Sequence, residues 1–317
     1  MNNHFPEIQP RGDIYIVNLH ATNGNDFVPP EGADVLYTDE DRNKNIEELT
    51  ARFSKEQPYR VHVKAGDGTV AWAIEAAVHS GQEVDISIRR GGYKNDLASM
   101  VSKAGGRIAL RPLVLEKLRD EPDEGGNTWD LERMVAYSFG LGAVAVGAKI
   151  ANSDEFREGK SDWIKKIARF RLPKAEALGS LIADIGLVKR ILKPEATIGD
   201  QTLPTSVLVN GRRIGAMIVS NGQTMSGGGM RFKQKLHEQG FVTSWVGKHR
   251  SLKKLGMAFR LLGVHPKNDR WSRGGGESFV INEDTLAQAD GEHFDIAKGT
   301  YRIRELGKTA VTLSVET

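Results

Sequence analysis

Short β-branched runs and stretches of helical period alternate through the first third of the chain. Asp13 to Val17, Asp34 to Thr38, Val61 to Ala65 and Val84 to Ile88 read as strands. Ile46 to Phe53 and Val70 to Val78 carry apolar residues at helical spacing. Between the third strand and the second helix stands Gly66-Asp67-Gly68-Thr69, so this segment reads as strand, tight turn, helix. Strands and helices in this alternation argue for βαβ units around a parallel, Rossmann-like sheet.

The pattern changes from Tyr137 onward. Ser138 to Val146 is small and apolar, and two helical segments follow, Asp162 to Leu172 and Ala175 to Leu192. Lys165, Lys166, Arg169 and Arg171 surround the apolar side of the first. The pair reads either as core-packing helices or as a basic amphipathic flap that meets a lipid surface. Beyond Pro194 the period is that of strands. Ser206 to Val209, Asn210-Gly211 and Ile214 to Ser220 form a hairpin with a favoured two-residue turn. Further strands are expected at Phe241 to Val246, Ser278 to Ile281, Thr300 to Arg304 and Ala310 to Val315, with a helix at Ser251 to Leu262. This half reads as a β-sandwich or a curled antiparallel sheet.

A chain of 317 residues exceeds the usual size of a single core. We therefore expect an α/β nucleotide-binding domain over 1–133 and a β-sandwich domain over 134–317. The second would carry the helical flap 161–192, and the last strand is able to return to the first domain. The 35 glycines point to many tight turns. A net charge of +3 is too small to argue for nucleic acid, and the absence of cysteine excludes disulfides and thiol chemistry. No apolar run approaches the roughly 18 to 20 residues of a bilayer span, and Met1 to Glu7 lacks the features of a signal peptide. The expectation is a cytoplasmic protein able to touch a membrane peripherally.

Chemistry enters at the glycine turn. Glycines let backbone N–H groups approach a phosphate, and the following helix points its positive end the same way. Asp67 places a carboxylate where a magnesium-phosphate complex needs one. Such turns are also frequent in α/β proteins at large, and the third glycine of a dinucleotide fingerprint is missing, since its position is Ala71. A second glycine turn, Arg90 to Ala98, opens another helix. Ligands of parallel sheets sit at the carboxyl ends of the strands. Asn18, Thr38, Gly66 to Thr69 and Gly92 to Asp96 all lie at such ends and can converge on one cleft.

Three further features follow in order: Asn221 with Gly227-Gly228-Gly229-Met230, then Leu261 to His265, then Gln288-Ala289-Asp290-Gly291-Glu292. Together with the two upstream turns they resemble the catalytic domain of the diacylglycerol kinase family, which includes sphingosine and ceramide kinases. The likeness runs from Ile14 to about Leu313. It implies an N-terminal α/β nucleotide domain, a C-terminal β-sandwich and an active site between them, the fold shared with NAD kinases. It also implies transfer of the ATP γ-phosphoryl group to a lipid hydroxyl.

Carried onto this chain, the resemblance assigns Asn18, Thr38, Ala65, Gly66, Asp67, Gly68, Thr69, Tyr93 and Asn95 to the nucleotide. Asp67 and Asp96 would attend Mg²⁺. Glu292, with Asp290 as the alternative, would accept the proton of the attacking alcohol, and Asp67 would join them in catalysis. Asp-Gly is also a common hairpin turn. Several positions depart from the pattern. Ala65 replaces the first glycine of the phosphate turn, and Arg90 and Tyr93 replace a proline and a threonine. Val144 and Gln239 stand where the family carries aspartates, which argues against a structural Mg²⁺ near Leu236 to Phe241 and for an altered acceptor pocket. The function implied is an ATP-dependent lipid kinase at a membrane surface, acting on diacylglycerol, a sphingoid base or ceramide. The alternatives are a soluble-metabolite kinase of NAD kinase type and a nucleotide- or lipid-binding module that has lost catalysis.

Overall fold

The structure is a computed structural model. It describes residues 12–19, 28–39, 41–56, 60–90, 95–124, 126, 128–159, 162, 186–187, 190–191, 193–222, 224–225, 230–231, 240–247, 269–272, 276–307, 309 and 311–316. Most of the expected flap 161–192, the helix at Ser251 to Leu262 and the triple glycine lie outside the described residues.

The chain forms two compact units. In the first, alternate apolar residues turn one face of each strand inward: Ile14 and Ile16, Val61 and Val63, Ile86 and Ile88 are all buried. The elements are β1 (Ile14–Val17), β2 (Asp34–Tyr37), α1 (Arg42–Glu56), β3 (Val61–Ala65), α2 (Asp67–Ser80), β4 (Val84–Arg90), α3 (Asp96–Lys103) and β5 (Arg107–Ala109). The sheet runs β2-β1-β3-β4, then a strand from far along the chain, then β5. β1 to β4 are parallel. The steps from β2 to β3 and from β3 to β4 go the same way across the sheet, so right-handed crossovers put α1 and α2 on one face. Leu49 and Phe53 of α1 and Ala73 and Ile74 of α2 are buried there.

The opposite face is polar. His62 stacks on Tyr15 with ring centroids 4.5 Å apart. Its ring nitrogens meet Asp13, at 3.1 Å, and Glu316, which also pairs with Arg89.

The second unit begins with β6 (Leu113–Leu118), β7 (Trp129–Val135), β8 (Ser138–Gly142) and α4 (Ala143–Asn152). Next come β9 (Glu195–Ile198), β10 (Gln201–Pro204), β11 (Val207–Val209), β12 (Arg212–Ser220), β13 (Thr224–Met225), β14 (Met230–Arg231), β15 (Phe241–Gly247) and β16 (Asp269–Ser272). β17 (Glu277–Ile281), β18 (Thr285–Ala289), β19 (Glu292–Ile296) and β20 (Gly299–Glu305) complete it. The chain then returns as β21 (Val311–Val315), parallel to β4 and antiparallel to β5 in the first sheet.

Eleven strands of the second unit form one antiparallel sheet with the main path β19-β18-β8-β12-β11-β17-β20-β6-β7. Its core holds Phe139, Leu141, Met217, Val219, Phe241, Phe279 and Tyr301. The rings of Phe139, Phe279 and Tyr301 follow one another at 6.1 Å. The sheet curls until its two ends meet: the Arg133 guanidinium of β7 lies 4.3 Å over the Phe294 ring of β19. The unit is thus a curled sheet whose inner face is the core.

The expected boundary near Arg133 falls inside β7. The two units divide between Pro112 and Leu113, because the acidic stretch from Asp120 is the connection of the β6–β7 hairpin, closed by Arg119 N–H donating to Thr128 O at 2.9 Å. The Asn210-Gly211 turn has the expected form, with φ of 50° and 68°.

Candidate functional site

The phosphate-type turn is tighter than its sequence implies. Gly66 is the N-cap of α2, in extended conformation, and the helix begins at Asp67, so Asp67, Gly68 and Thr69 make up its first turn. The first helical bond runs from Val70 N–H to Gly66 O, at 3.3 Å. Only Gly66 separates β3 from α2, and the orphan N–H groups of the first turn sit at the carboxyl end of the sheet.

Asp67 is buried, and its carboxylate accepts from the backbone N–H of Asp96 at 2.8 Å and of Leu97 at 3.2 Å. It therefore joins the first turn of α2 to the first turn of α3. Asn18, just past β1, donates through Nδ2 to Thr69 Oγ1 at 3.0 Å. Thr38 N–H donates to Val17 O at 3.1 Å. The Thr38 hydroxyl is buried and has no partner among the described residues. Asn95 is the N-cap of α3, and Ala65 is the buried last residue of β3. Tyr93 and Gly92 lie outside the described residues.

The structure thus brings Asn18 to Thr69 and Asp67 to the start of α3. Sequence reasoning missed the support behind Thr38. Asn45 is buried in α1 and clamps the backbone of Asp39, accepting from its N–H at 3.2 Å and donating to its carbonyl at 3.0 Å. An asparagine just ahead of the apolar helical run from Ile46, where asparagine favours caps and turns, was the available signal. No group of three or more His, Asp or Glu side chains among the described residues is arranged to hold a metal alone. Magnesium in phosphoryl-transfer sites takes one or two carboxylates plus nucleotide phosphates. Asp67 and Asp96, the second 3 % exposed, supply that number.

In the second unit the Asp290-Gly291 pair is the two-residue turn between β18 and β19, with φ of 52° and 89°. Asp290 is 2 % exposed. Its carboxylate accepts three consecutive backbone N–H groups: Ala136 at 2.6 Å, Tyr137 at 2.9 Å and Ser138 at 3.0 Å. Burial pushes its pKa up to about 6, against the pull of those donors and of Arg133. Glu292 is more open, with its side chain 25 % exposed, and it accepts from Arg133 at 2.6 Å. The two acids of this motif therefore differ sharply in environment. Asn221 is buried at the end of β12, and its N–H donates to Tyr137 O at 3.1 Å.

The same face of the sheet changes character along its strands. β8 turns Phe139 and Leu141 into the core, so Ser138, Gly140 and Gly142 face the other way, the side on which α4 packs. Gln288 lies opposite Gly140. It is fully buried, and its Oε1 accepts from Gly291 N–H at 3.0 Å. Its Nε2 and the Ser138 hydroxyl have no partner among the described residues. A Cβ on Gly140 would lie 2.8 Å from Val144 Cγ1 and 3.1 Å from Gln288 Nε2, so Val144 and the amide close over the bare glycine. One step further, Gly142 and Leu286 open on a cavity of about 590 Å³. Val146, Leu203, Pro204 and Ile296 line it, with Asp284 and Asp295 among its polar residues. Two residues along a strand cover about 6.8 Å, so this face runs from the buried Gln288 amide to an open cavity of mixed lining, Arg213 and Glu283 included, within about 14 Å.

An α/β unit with two helix N-termini gathered at the carboxyl end of its sheet, followed by a curled antiparallel unit, is the diacylglycerol kinase type of fold. The comparisons bear on it directly. Residues 22–120 match the diacylglycerol kinase catalytic domain. A crystal structure from Bacillus anthracis str. Sterne, provisionally named a diacylglycerol kinase, is similar with a TM-score of 0.58 and 15% identity, covering 96% of this chain and 98% of that one. The crystal structure of a diacylglycerol kinase from the same organism is similar with a TM-score of 0.55 and 13% identity, covering 96% and 97%. None of the curated proteins matches the chain.

Proposed function

We propose that this chain is an ATP-dependent lipid kinase that transfers the γ-phosphoryl group to a hydroxyl of a membrane lipid, with diacylglycerol the first candidate. The match to a diacylglycerol kinase catalytic domain supports the kinase chemistry. The observation that carries the lipid reading is the graded face of the second unit. An amphiphile needs polar contacts at its reacting end and room for its chain; the Gln288 side of the sheet offers the first beside the Asp290-Gly291 turn and, beyond Gly142, a cavity with Val146, Leu203, Pro204 and Leu286 in its wall.

Phosphoryl transfer asks a protein mainly for positioning and for charge stabilisation. The first-turn N–H groups of α2 and α3 suit the nucleotide phosphates, and Asp67 fixes the two turns against each other. Asn18 and Thr69 form a hydrogen-bonded pair at the same edge, and Thr38 adds its buried hydroxyl. Mg²⁺, attended by Asp67 and Asp96, would neutralise charge on the transferring group. Glu292 takes the proton of the acceptor hydroxyl as its oxygen bonds to the γ-phosphorus and the bond to the ADP oxygen breaks. A base so placed is worth roughly 10² to 10⁴ in rate.

The test is a γ-labelled ATP assay against vesicles or micelles of diacylglycerol, sphingosine, ceramide and phosphatidylglycerol, with NAD in a parallel tube. Label in a chloroform-soluble product is expected, most strongly with diacylglycerol. Label in NADP would establish the soluble-metabolite alternative, and no label anywhere would leave the binding module.

A further inference from the structure

We propose that Asp290 is a positioning residue, an anionic strut that fixes the β7–β8 turn to the β18–β19 turn and so sets the place of Glu292, rather than a proton acceptor. The inference rests on the kinase reading for its catalytic meaning, but its structural content is independent of it.

Four polar groups of the turn before Glu292 are engaged. The Asp290 carboxylate takes the N–H groups of Ala136, Tyr137 and Ser138, while Asp290 N–H donates to Ser138 O at 2.9 Å. Gly291 N–H donates to Gln288 Oε1, and Gly291 O accepts from Asn152 Nδ2 at 2.9 Å, at the end of α4. That bond to Gly291 also fixes which end of the Gln288 amide is oxygen, because only the oxygen can accept. Tyr137 is held from behind, since its carbonyl accepts from Asn221 N–H and from the Ser220 hydroxyl, each at 3.1 Å.

A general base must present a free lone pair to the proton it removes. Asp290 has about four lone-pair sites, three of them filled by backbone donors, and almost no exposed surface. It is also a non-glycine residue at positive φ, a conformation that persists where the surroundings over-determine it. Glu292 is one residue past the turn, with a quarter of its side chain open. Asp290 has the geometry of a brace, and Glu292, paired with Arg133, is the more accessible of the two carboxylates.

The strut has a second consequence for three consecutive amides. Three N–H groups converging on one carboxylate form an anion nest that would stand empty without it. An amide at 290 keeps one oxygen for Tyr137 and Ser138 but turns an NH₂ toward the Ala136 N–H, so Asp290→Asn should keep the turn while loosening one of the three bonds.

The experiment compares Asp290→Asn, Asp290→Ala and Glu292→Gln with the unaltered chain. It reads kcat and KM for diacylglycerol phosphorylation across pH 5 to 9, and amide hydrogen exchange at Ala136, Tyr137 and Ser138. Expected for Asp290→Asn is a kcat within about tenfold of the parent, an acidic limb of the pH profile still present, and faster exchange at Ala136. Asp290→Ala should speed exchange at all three amides. Glu292→Gln should lose about 10²-fold or more in kcat and lose the acidic limb, with exchange at the three amides unchanged. Loss of the acidic limb in Asp290→Asn with its retention in Glu292→Gln would overturn the proposal and leave the kinase reading intact. Unchanged exchange in Asp290→Ala would overturn the strut itself, and this readout needs no activity, so it stands if the kinase reading fails.

Discussion

Arg133 and Glu292 form a 2.6 Å ion pair between β7 and β19, the two ends of the main path through the eleven-stranded sheet. The Arg133 guanidinium also covers the Phe294 ring. One arginine therefore aligns the candidate base and closes the curl of the sheet. Replacing Arg133 by methionine should keep part of the packing and release Glu292. We expect a lower kcat with nearly unchanged KM for ATP, and a loss of stability of about 1 to 3 kcal/mol for the separated charge, measured by denaturant titration.

Asp67 acts on two helices at once. Asp67→Ala removes the acceptor of two N–H groups at the start of α3 and should cost about 0.5 to 2 kcal/mol, as loss of a helix cap does. Turnover should fall at least about tenfold, in keeping with a group at the phosphate site. Asp67→Asn keeps an oxygen for one of the donors and should recover more of the stability than of the rate. Equal recovery of both would mean that Asp67 is only a cap.

The cavity makes a prediction about chain length. Val146→Trp fills space beyond Gly142 without touching the Asp290-Gly291-Glu292 turn. Activity on long-chain diacylglycerol should drop severalfold while activity on a short-chain analogue holds, read as the ratio of kcat/KM values. An equal drop for both would remove the cavity from the acceptor site.

Glu116 supplies a pH dependence. It accepts from Arg302 and from Arg304, each at 2.7 Å, on the face of the sheet where Arg302 lies 4.2 Å over the Trp129 ring. Burial raises its pKa, but hydrogen bonds from Arg304 and Arg302 outweigh it and hold the carboxyl below its ordinary 4.5. A folded-state pKa below the unfolded one means stability that is present above about 4.5 and is lost as pH falls through the folded value. The stability gap between the parent and Glu116→Gln should therefore be constant near pH 7 and close on acidification below about 4.5. A gap that widened on acidification would reverse the assigned sign.

Gly142 is the junction of β8 and α4. Its φ is 68°, and a Cβ would lie 2.5 Å from the carbonyl oxygen of Gly215 on the neighbouring strand. Gly142→Ala should destabilise by at least about 2 kcal/mol, from strain and from that contact, seen as a lower midpoint in urea.

Much of the first unit was legible because its strands and helices each bury one face with a regular period. The β3–α2 segment showed itself through Val61, Val63, Ala73 and Ile74, all buried as their spacing implies. What the sequence obscured was where the helix starts: Gly68 has the look of a turn residue, yet it lies in the first turn of α2. In the second unit the hairpin at Asn210-Gly211 was plain, while β18 and β19 were hidden beneath the motif that joins them. Asp290-Gly291 is a hairpin turn as well as a motif, and nothing in the spelling Asp-Gly-Glu distinguishes a strut from a base. That difference lies in three backbone donors some 150 residues upstream, a relation that no local pattern records. Val144 was legible as a departure, but the buried Gln288 amide that shares the space over Gly140 with it emerges only from the pairing of β8 with β18.

The position of β21 has a bearing on how the molecule comes into being. It lies between β4 and β5 and pairs with both, so two strands that follow each other closely in the chain are held together by a third that lies some two hundred residues later. During synthesis the first unit would leave the ribosome with a gap in its sheet and two exposed strand edges. It could acquire its final form only after the whole antiparallel unit had been made. Contacts of such long sequence separation are slow to form. A fragment ending at Pro112 would lack the strand that joins β4 to β5, and adding the separate peptide Leu306–Thr317 should be required for it to take up structure.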